Sequence, residues 1–248
     1  MSVIEQQITV ETADGSMTTF VYGDRDAGLP HVIMFHDGPG LRPDVHRTAS
    51  EFAAKGYVVA LPDLYYRIEP LMSLDLAEMA KGPGAEAFDK MMQGVTETTP
   101  DRTEADATAL LATLQADGAD VTRVGVLGFC HTARAVVRMM ARHGDQFVVG
   151  GTMHPARCID ETPQSPHLDA DKISGALYVG YGGGDTRAPV DQQQPLIDRL
   201  REAPGAVEIE ILPDAEHGFA FGGSEADQAA AARGWERIRV AFAAALGS

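Results

Sequence analysis

The feature that most restricts the fold of this 248-residue chain is its alternation of two hydrophobic periods. Apolar runs at 31–35, 57–61, 124–129, 147–153, 176–181 and 207–212 have the length and continuity of strands buried on both faces. Amphipathic stretches near 44–55, 102–117, 132–143, 190–202 and 225–245 separate most of them and carry the helical period. Such alternation predicts an α/β protein with a mostly parallel central sheet and helices on both faces. Ahead of it, residues 5–10 and 17–22 flank Asp14-Gly15 and read as an opening hairpin. No repeat, low-complexity tract or break in composition divides the chain, so 1–248 reads as one domain. The stretch 66–100 breaks the rhythm. Its methionines (Met72, Met79, Met91, Met92) and the Gly82-Pro83-Gly84 break predict a helical insertion near the site.

Charge narrows the partners. With 36 acidic against 20 basic residues, the formal net charge is −16, which argues against a nucleic-acid partner, since phosphate binding needs a basic face. No apolar run approaches the roughly 18 residues of a membrane span. The first residues lack the basic-then-apolar layout of a secretory signal, so a cytoplasmic protein without a membrane partner is expected. Cys130 and Cys158 are then expected as free thiols.

Sheets of this kind bind ligands beyond the carboxyl ends of their strands, and three residues stand there in a telling order. Cys130 follows the run 124–129, Asp185 follows 176–181 across Gly182-Gly183-Gly184, and His217 follows 207–212. Nucleophile, acid, histidine is the chain order of the α/β-hydrolase fold. A nucleophile on the tight turn from strand to helix projects its reactive atom outward. It also lies at a helix amino end, where backbone N–H groups stabilise negative charge.

Beyond these residues, Gly56-Tyr57-Val58-Val59-Ala60-Leu61-Pro62-Asp63-Leu64-Tyr65, Gly128-Phe129-Cys130 and Ala215-Glu216-His217-Gly218-Phe219-Ala220 carry a wider likeness. Ser165-Pro166-His167-Leu168 adds to it. Across nearly its whole length the sequence resembles the dienelactone hydrolase family, the Cys-nucleophile branch of the α/β-hydrolases. The resemblance implies a small-molecule ester or lactone as substrate, cleaved through an acyl-thioester on Cys130, with His217 as base and Asp185 orienting it. A general carboxylesterase or thioesterase is the near alternative, and a non-catalytic binding or redox-sensing protein on the same fold is the other.

The resemblance also implies an oxyanion hole from the backbone N–H groups of His131 and Gly38. Arg67 matches an Arg that holds a substrate carboxylate in the family, although a solvated loop Arg is the plain reading. Asp37 matches a family Glu near the nucleophile, or is an ordinary Asp-Gly turn residue. His36 borders the pocket at a strand end, and His154-Pro155 does likewise after another strand. The missing HExxH, CxxC and paired-carboxylate spacings point to no metal, and no organic cofactor is implied. A monomer or small homo-oligomer is expected.

Two departures stand out. Where the family places two glycines beyond the residue after the nucleophile, this chain has Thr132 and Ala133, so bulk must be accommodated at the turn. Phe221 stands where the family has a second carboxylate-binding Arg. That change favours a less charged, more apolar substrate group.

Overall fold

The computed structural model describes residues 3–247, in two compact units that meet in sequence at Val121 and Thr122. The first unit opens with the expected hairpin, β1 (Glu5–Thr12) and β2 (Gly15–Tyr22). Its turn is one residue earlier than the sequence predicts. Thr12 already pairs with Gly15, so Ala13 and Asp14 form the loop. Strands β3 (His31–Met34) and β4 (Val58–Pro62) complete a sheet in the order β1-β2-β4-β3. The β2–β4 pair is antiparallel and the β3–β4 pair parallel. Every residue of β3 and β4 is buried, which is why both read as unbroken apolar runs.

Helix α1 (Pro43–Ala53) crosses between β3 and β4, its buried Val45, Ala49 and Phe52 spaced for one helical face. The stretch 66–100 contains α2 (Leu76–Met79) and α3 (Glu86–Glu97). Met79, Met91 and Val95 form its small core, with Leu74, Ala87, Phe88 and Met92 packed around them. Helix α4 (Pro100–Ala116) follows at once. Thr99 caps it by accepting the N–H of Arg102, and Pro100 suits its first turn.

The second unit contains four strands, β5 (Val124–Phe129), β6 (Phe147–Met153), β7 (Ala176–Gly182) and β8 (Val207–Leu212), paired in that order and all parallel. Parallel neighbours need crossovers. These are α5 (Ala133–Arg142), a 3-10 segment at Pro166–Lys172 that the sequence did not foretell, and α6 (Gln194–Glu202). The last helix is α7 (Glu225–Leu246). Helices cover both faces of this sheet, as two adjacent glycines of β6 reveal. A side chain at Gly150 would meet Val136 and Met140 of α5, whereas one at Gly151 would meet Ile238 of α7. None of the described helices is long and apolar enough to cross a membrane.

Candidate active site

The site grows from the carboxyl end of β5. Gly128, the last residue but one, has no room for a side chain, since a Cβ would stand 2.8 Å from Val136 and 2.9 Å from the carbonyl of Thr132. That closeness brings α5 hard against the strand. The chain must then reverse within one residue, and Cys130 does so at φ 55°, in the left-handed region. For a non-glycine residue this costs about 1–2 kcal/mol.

Thr132 helps to hold the turn in that shape. Its hydroxyl donates to the carbonyl of Phe129 at 2.9 Å and accepts the Phe129 N–H at 2.8 Å. The β-branched residue that departs from the family pattern is therefore accommodated by becoming a clasp across the bend. The two cysteines are free thiols, Cys130 partly exposed and Cys158 buried. Burial pushes the Cys158 thiol up to about 12, with a further rise from nearby Cys130 that Arg134 opposes, so it stays protonated and inert at neutral pH.

His217 and Asp185 reach Cys130 from the ends of β8 and β7. The loops after these strands are laced together, Gly183 N–H to the carbonyl of Leu212 at 2.7 Å and Gly184 N–H to that of Ala215 at 2.9 Å. Gly183 permits the lacing, because a Cβ there would lie 2.4 Å from the carbonyl of Pro213. The glycine run thus serves loop packing. Asp185, almost wholly buried, accepts the N–H groups of Arg187 and Ala188 on Oδ1, at 2.8 and 2.9 Å. Its Oδ2 accepts from Nδ1 of His217 at 2.7 Å, and Nε2 of His217 stands 3.1 Å from Sγ of Cys130.

Burial alone would lower the histidine's proton affinity. The hydrogen bonds and charges of Asp185 and Cys130 outweigh it and raise His217 to about 10. Burial likewise opposes ionisation of Asp185, but His217 and the two backbone donors leave it below the usual carboxylate range. Behind His217, Asp227 of α7 accepts the N–H of Glu216 at 2.8 Å with one oxygen and caps the helix through Ser224 with the other.

A fourth side chain joins this group. Phe129 pairs with Met153 in the parallel register, so Cys130 and His154 leave the sheet side by side. His154 also has positive φ, 43°, and is buried. Its N–H donates to the carbonyl of Gly180, and two residues on, the Ala156 N–H donates to the carbonyl of Cys130. The imidazoles of His154 and His217 lie edge to face with centroids 5.0 Å apart. Cys130, His154 and His217 offer ligand atoms within 4.8 Å of one another, a metal-capable grouping that no local sequence motif announces. Phe221 packs on Phe129 at 5.0 Å and near His154 at 6.4 Å, giving this corner an aromatic wall.

The other expected residues lie in the first unit, where each has protein partners. The buried His36 shares Nδ1 with the carbonyl of Asp37 at 2.9 Å and accepts the Leu64 N–H on Nε2 at 3.2 Å. Both ring nitrogens thus staple backbone. Asp37 forms a buried two-pronged ion pair with Arg42, whose Nη2 donates at 2.9 Å. Arg67 presents its fork to Asp106, two bonds of 2.8 Å, and its Nε to Asp14 at 2.7 Å. Burial works against its charge, yet the two carboxylates raise its proton affinity above the ordinary arginine value. Gly38 lies in the loop after β3, its carbonyl accepting the Tyr65 hydroxyl at 2.9 Å. Sequence reasoning missed Arg42 and Asp106, and gave His154 too little weight.

The sequence matches the dienelactone hydrolase family over residues 17–246, so the chain belongs to that family of ester-bond hydrolases. It is 25% identical over 230 residues to a carboxymethylenebutenolidase of Rhodococcus opacus, covering 88% of this chain and 82% of that one. With the hydrolase pyvD of Aspergillus violaceofuscus it shares 28% identity over 172 residues, 69% of this chain but only 62% of the relative. In structure it is similar to a candidate dienelactone hydrolase of Klebsiella pneumoniae, with TM-score 0.80 and 21% identity over 98% of this chain and 99% of the other. A dienelactone hydrolase-like promiscuous phosphotriesterase from metagenomic libraries gives 0.73 and 20%, over 98% and 99%. The α/β-hydrolase fold expected from the chain order of Cys130, Asp185 and His217 and from the family resemblance is the fold the chain has.

Proposed function

We propose that the chain hydrolyses carboxylic esters or lactones through an acyl-thioester on Cys130. The observation that carries this reading is the unbroken line from Sγ of Cys130 to Nε2 of His217, 3.1 Å, and from its Nδ1 to Asp185, 2.7 Å. A histidine raised to about 10 holds its proton at neutral pH. With this proton carrier 3.1 Å away, Sγ attacks the carbonyl carbon, and the carbonyl π electrons move to oxygen. The N–H of His131, at the start of the following helical turn, is the near donor to that oxyanion. Collapse of the adduct expels the alcohol oxygen, which takes the proton from Nε2. Water then yields a proton to His217 and adds to the thioester carbonyl; the C–S bond breaks, its electron pair returns to Sγ, and the acid leaves with the Cys130–His217 pair restored. Asp185 holds the ring throughout with its Nε2 facing sulfur.

The general carboxylesterase alternative gains from two observations. Phe221 places an aromatic ring where a cation would favour a carboxylate. Arg67, the other expected clamp, has its guanidinium committed to Asp106 and Asp14. Neutral, apolar esters are thus the expected preference over carboxylated lactones, and a net charge of −16 adds long-range repulsion of anions.

The test compares neutral p-nitrophenyl esters with carboxylated lactones, using the wild type and Cys130→Ala. Turnover is expected to vanish in the variant, with thermal stability within a few degrees. A trapped wild-type intermediate is expected to carry one acyl mass on Cys130. Undiminished turnover by Cys130→Ala, or acyl mass at another residue, overturns the assignment.

A further inference from the structure

We propose that Cys130, His154 and His217 form a divalent-metal site, suited to zinc and its soft neighbours, whose occupation blocks the nucleophile. Its basis is spacing, since the sulfur and the two ring nitrogens lie within 4.8 Å of one another. Zinc bonds sulfur at about 2.3 Å and imidazole nitrogen at about 2.0–2.1 Å, so tetrahedral ligand atoms stand roughly 3.3–3.6 Å apart. Sγ and Nε2 of His217 are already at 3.1 Å. Only the His154 nitrogen must close in, by at most about 1.2–1.5 Å from the 4.8 Å limit.

The surroundings favour such an ion. Asp185 accepts from the far nitrogen of His217, the carboxylate–histidine–metal relay that orients ligand rings in zinc proteins. Backbone hydrogen bonds from His154 N–H to Gly180 and from Ala156 N–H to Cys130 fix the third ligand beside the first. Phe219 and Phe221 pack their edges and faces around the His154 ring, a dry backing that favours inner-sphere ligation. Cys130 and His217 are partly exposed while His154 is buried, so the ion enters past the sulfur and leaves a fourth position for water. One thiolate with two imidazoles selects zinc, cobalt or copper over magnesium and calcium. The acidic surface raises the local concentration of any cation.

On binding, the proton shared by Sγ and Nε2 passes to solvent, and the lone pairs that attack the carbonyl and accept its protons become metal bonds. Hydrolysis then stops until a chelator removes the ion.

Metal binding is read without any ester, so its outcome is independent of the hydrolysis reading. Cobalt(II) titrated into the wild type should produce a thiolate-to-cobalt charge-transfer band and tetrahedral visible bands at one ion per chain, displaced by zinc. Cys130→Ser should abolish the charge-transfer band. His154→Ala and the ring-filling His154→Phe should each weaken zinc affinity about 100-fold, measured by calorimetry, with magnesium inert throughout. In the wild type, zinc should reversibly abolish turnover of whichever ester the chain cleaves. Absence of the charge-transfer band overturns the site. So does a zinc affinity unchanged in both folded His154 variants.

Discussion

At the scale of single residues, one hydroxyl clasps the strand end that leads into the nucleophile turn. Thr132 satisfies both the N–H and the carbonyl of Phe129, groups buried at the end of β5 where water does not replace a lost partner. Thr132→Val keeps the shape and removes both bonds. It is expected to cost about 1–3 kcal/mol in denaturant unfolding, the range for a buried polar group left unsatisfied, with reduced hydrolysis as the bend relaxes. Thr132→Ser should retain most of both. A larger loss in Thr132→Ser than in Thr132→Val would mean that the methyl group, and not the hydroxyl, holds the turn. Cys130, Asp185 and His217 were legible as a group because each follows an apolar run that forms a strand, and a strand end fixes where the next side chain goes. The clasp was not, since the same threonine reads equally well as an obstacle until its hydroxyl finds the bend.

At the scale of elements, Arg67 joins three pieces of the first unit. It connects the loop after β4 to Asp14 in the β1–β2 turn and to Asp106 of α4, and Tyr66 donates to the same Asp106 at 3.1 Å. The Asp106 side chain is only 1% exposed, so loss of its cation strands a carboxylate in the interior. Arg67→Ala is expected to destabilise by about 3–5 kcal/mol, as when one partner of a buried pair is removed. The ratio of kcat/KM on carboxylated against neutral substrates should stay unchanged. A loss confined to carboxylated substrates would return Arg67 to the role of a substrate clamp. Elements themselves were legible wherever one face or both are buried, as in β3 to β7 and the amphipathic helices. Their cross-links were not. Arg67 and Asp106 are far apart in sequence and meet only once α4 packs beside β1. His154 shows the same limit, because its place beside Cys130 follows from the register of β5 against β6, and periodicity carries no register between distant strands.

At the scale of the whole molecule, the triad's protons couple to folding. His217 is raised to about 10, so its contribution is complete below its ordinary value near 6.5 and disappears as pH climbs through 10. Asp185 is lowered, so its contribution is present above its ordinary value near 3.8 and is lost as pH falls through the depressed one. The stability gap between wild type and His217→Gln should therefore shrink steadily from pH 6.5 to 10. The background of −16 charges is common to both proteins and cancels in the comparison. A gap that is flat or widens over that range would show that His217 is not held protonated by its partners. The clasp of Asp227 on the backbone beside His217 also has a meaning in time. A chain grows from its amino end at about 5–20 residues per second, so Cys130 emerges roughly 5–20 s before Asp227 does. For most of that interval the nascent chain has its sulfur but neither His217 nor the Asp227 that supports it. The support for the backbone beside His217 is thus supplied by a residue made well after the nucleophile turn.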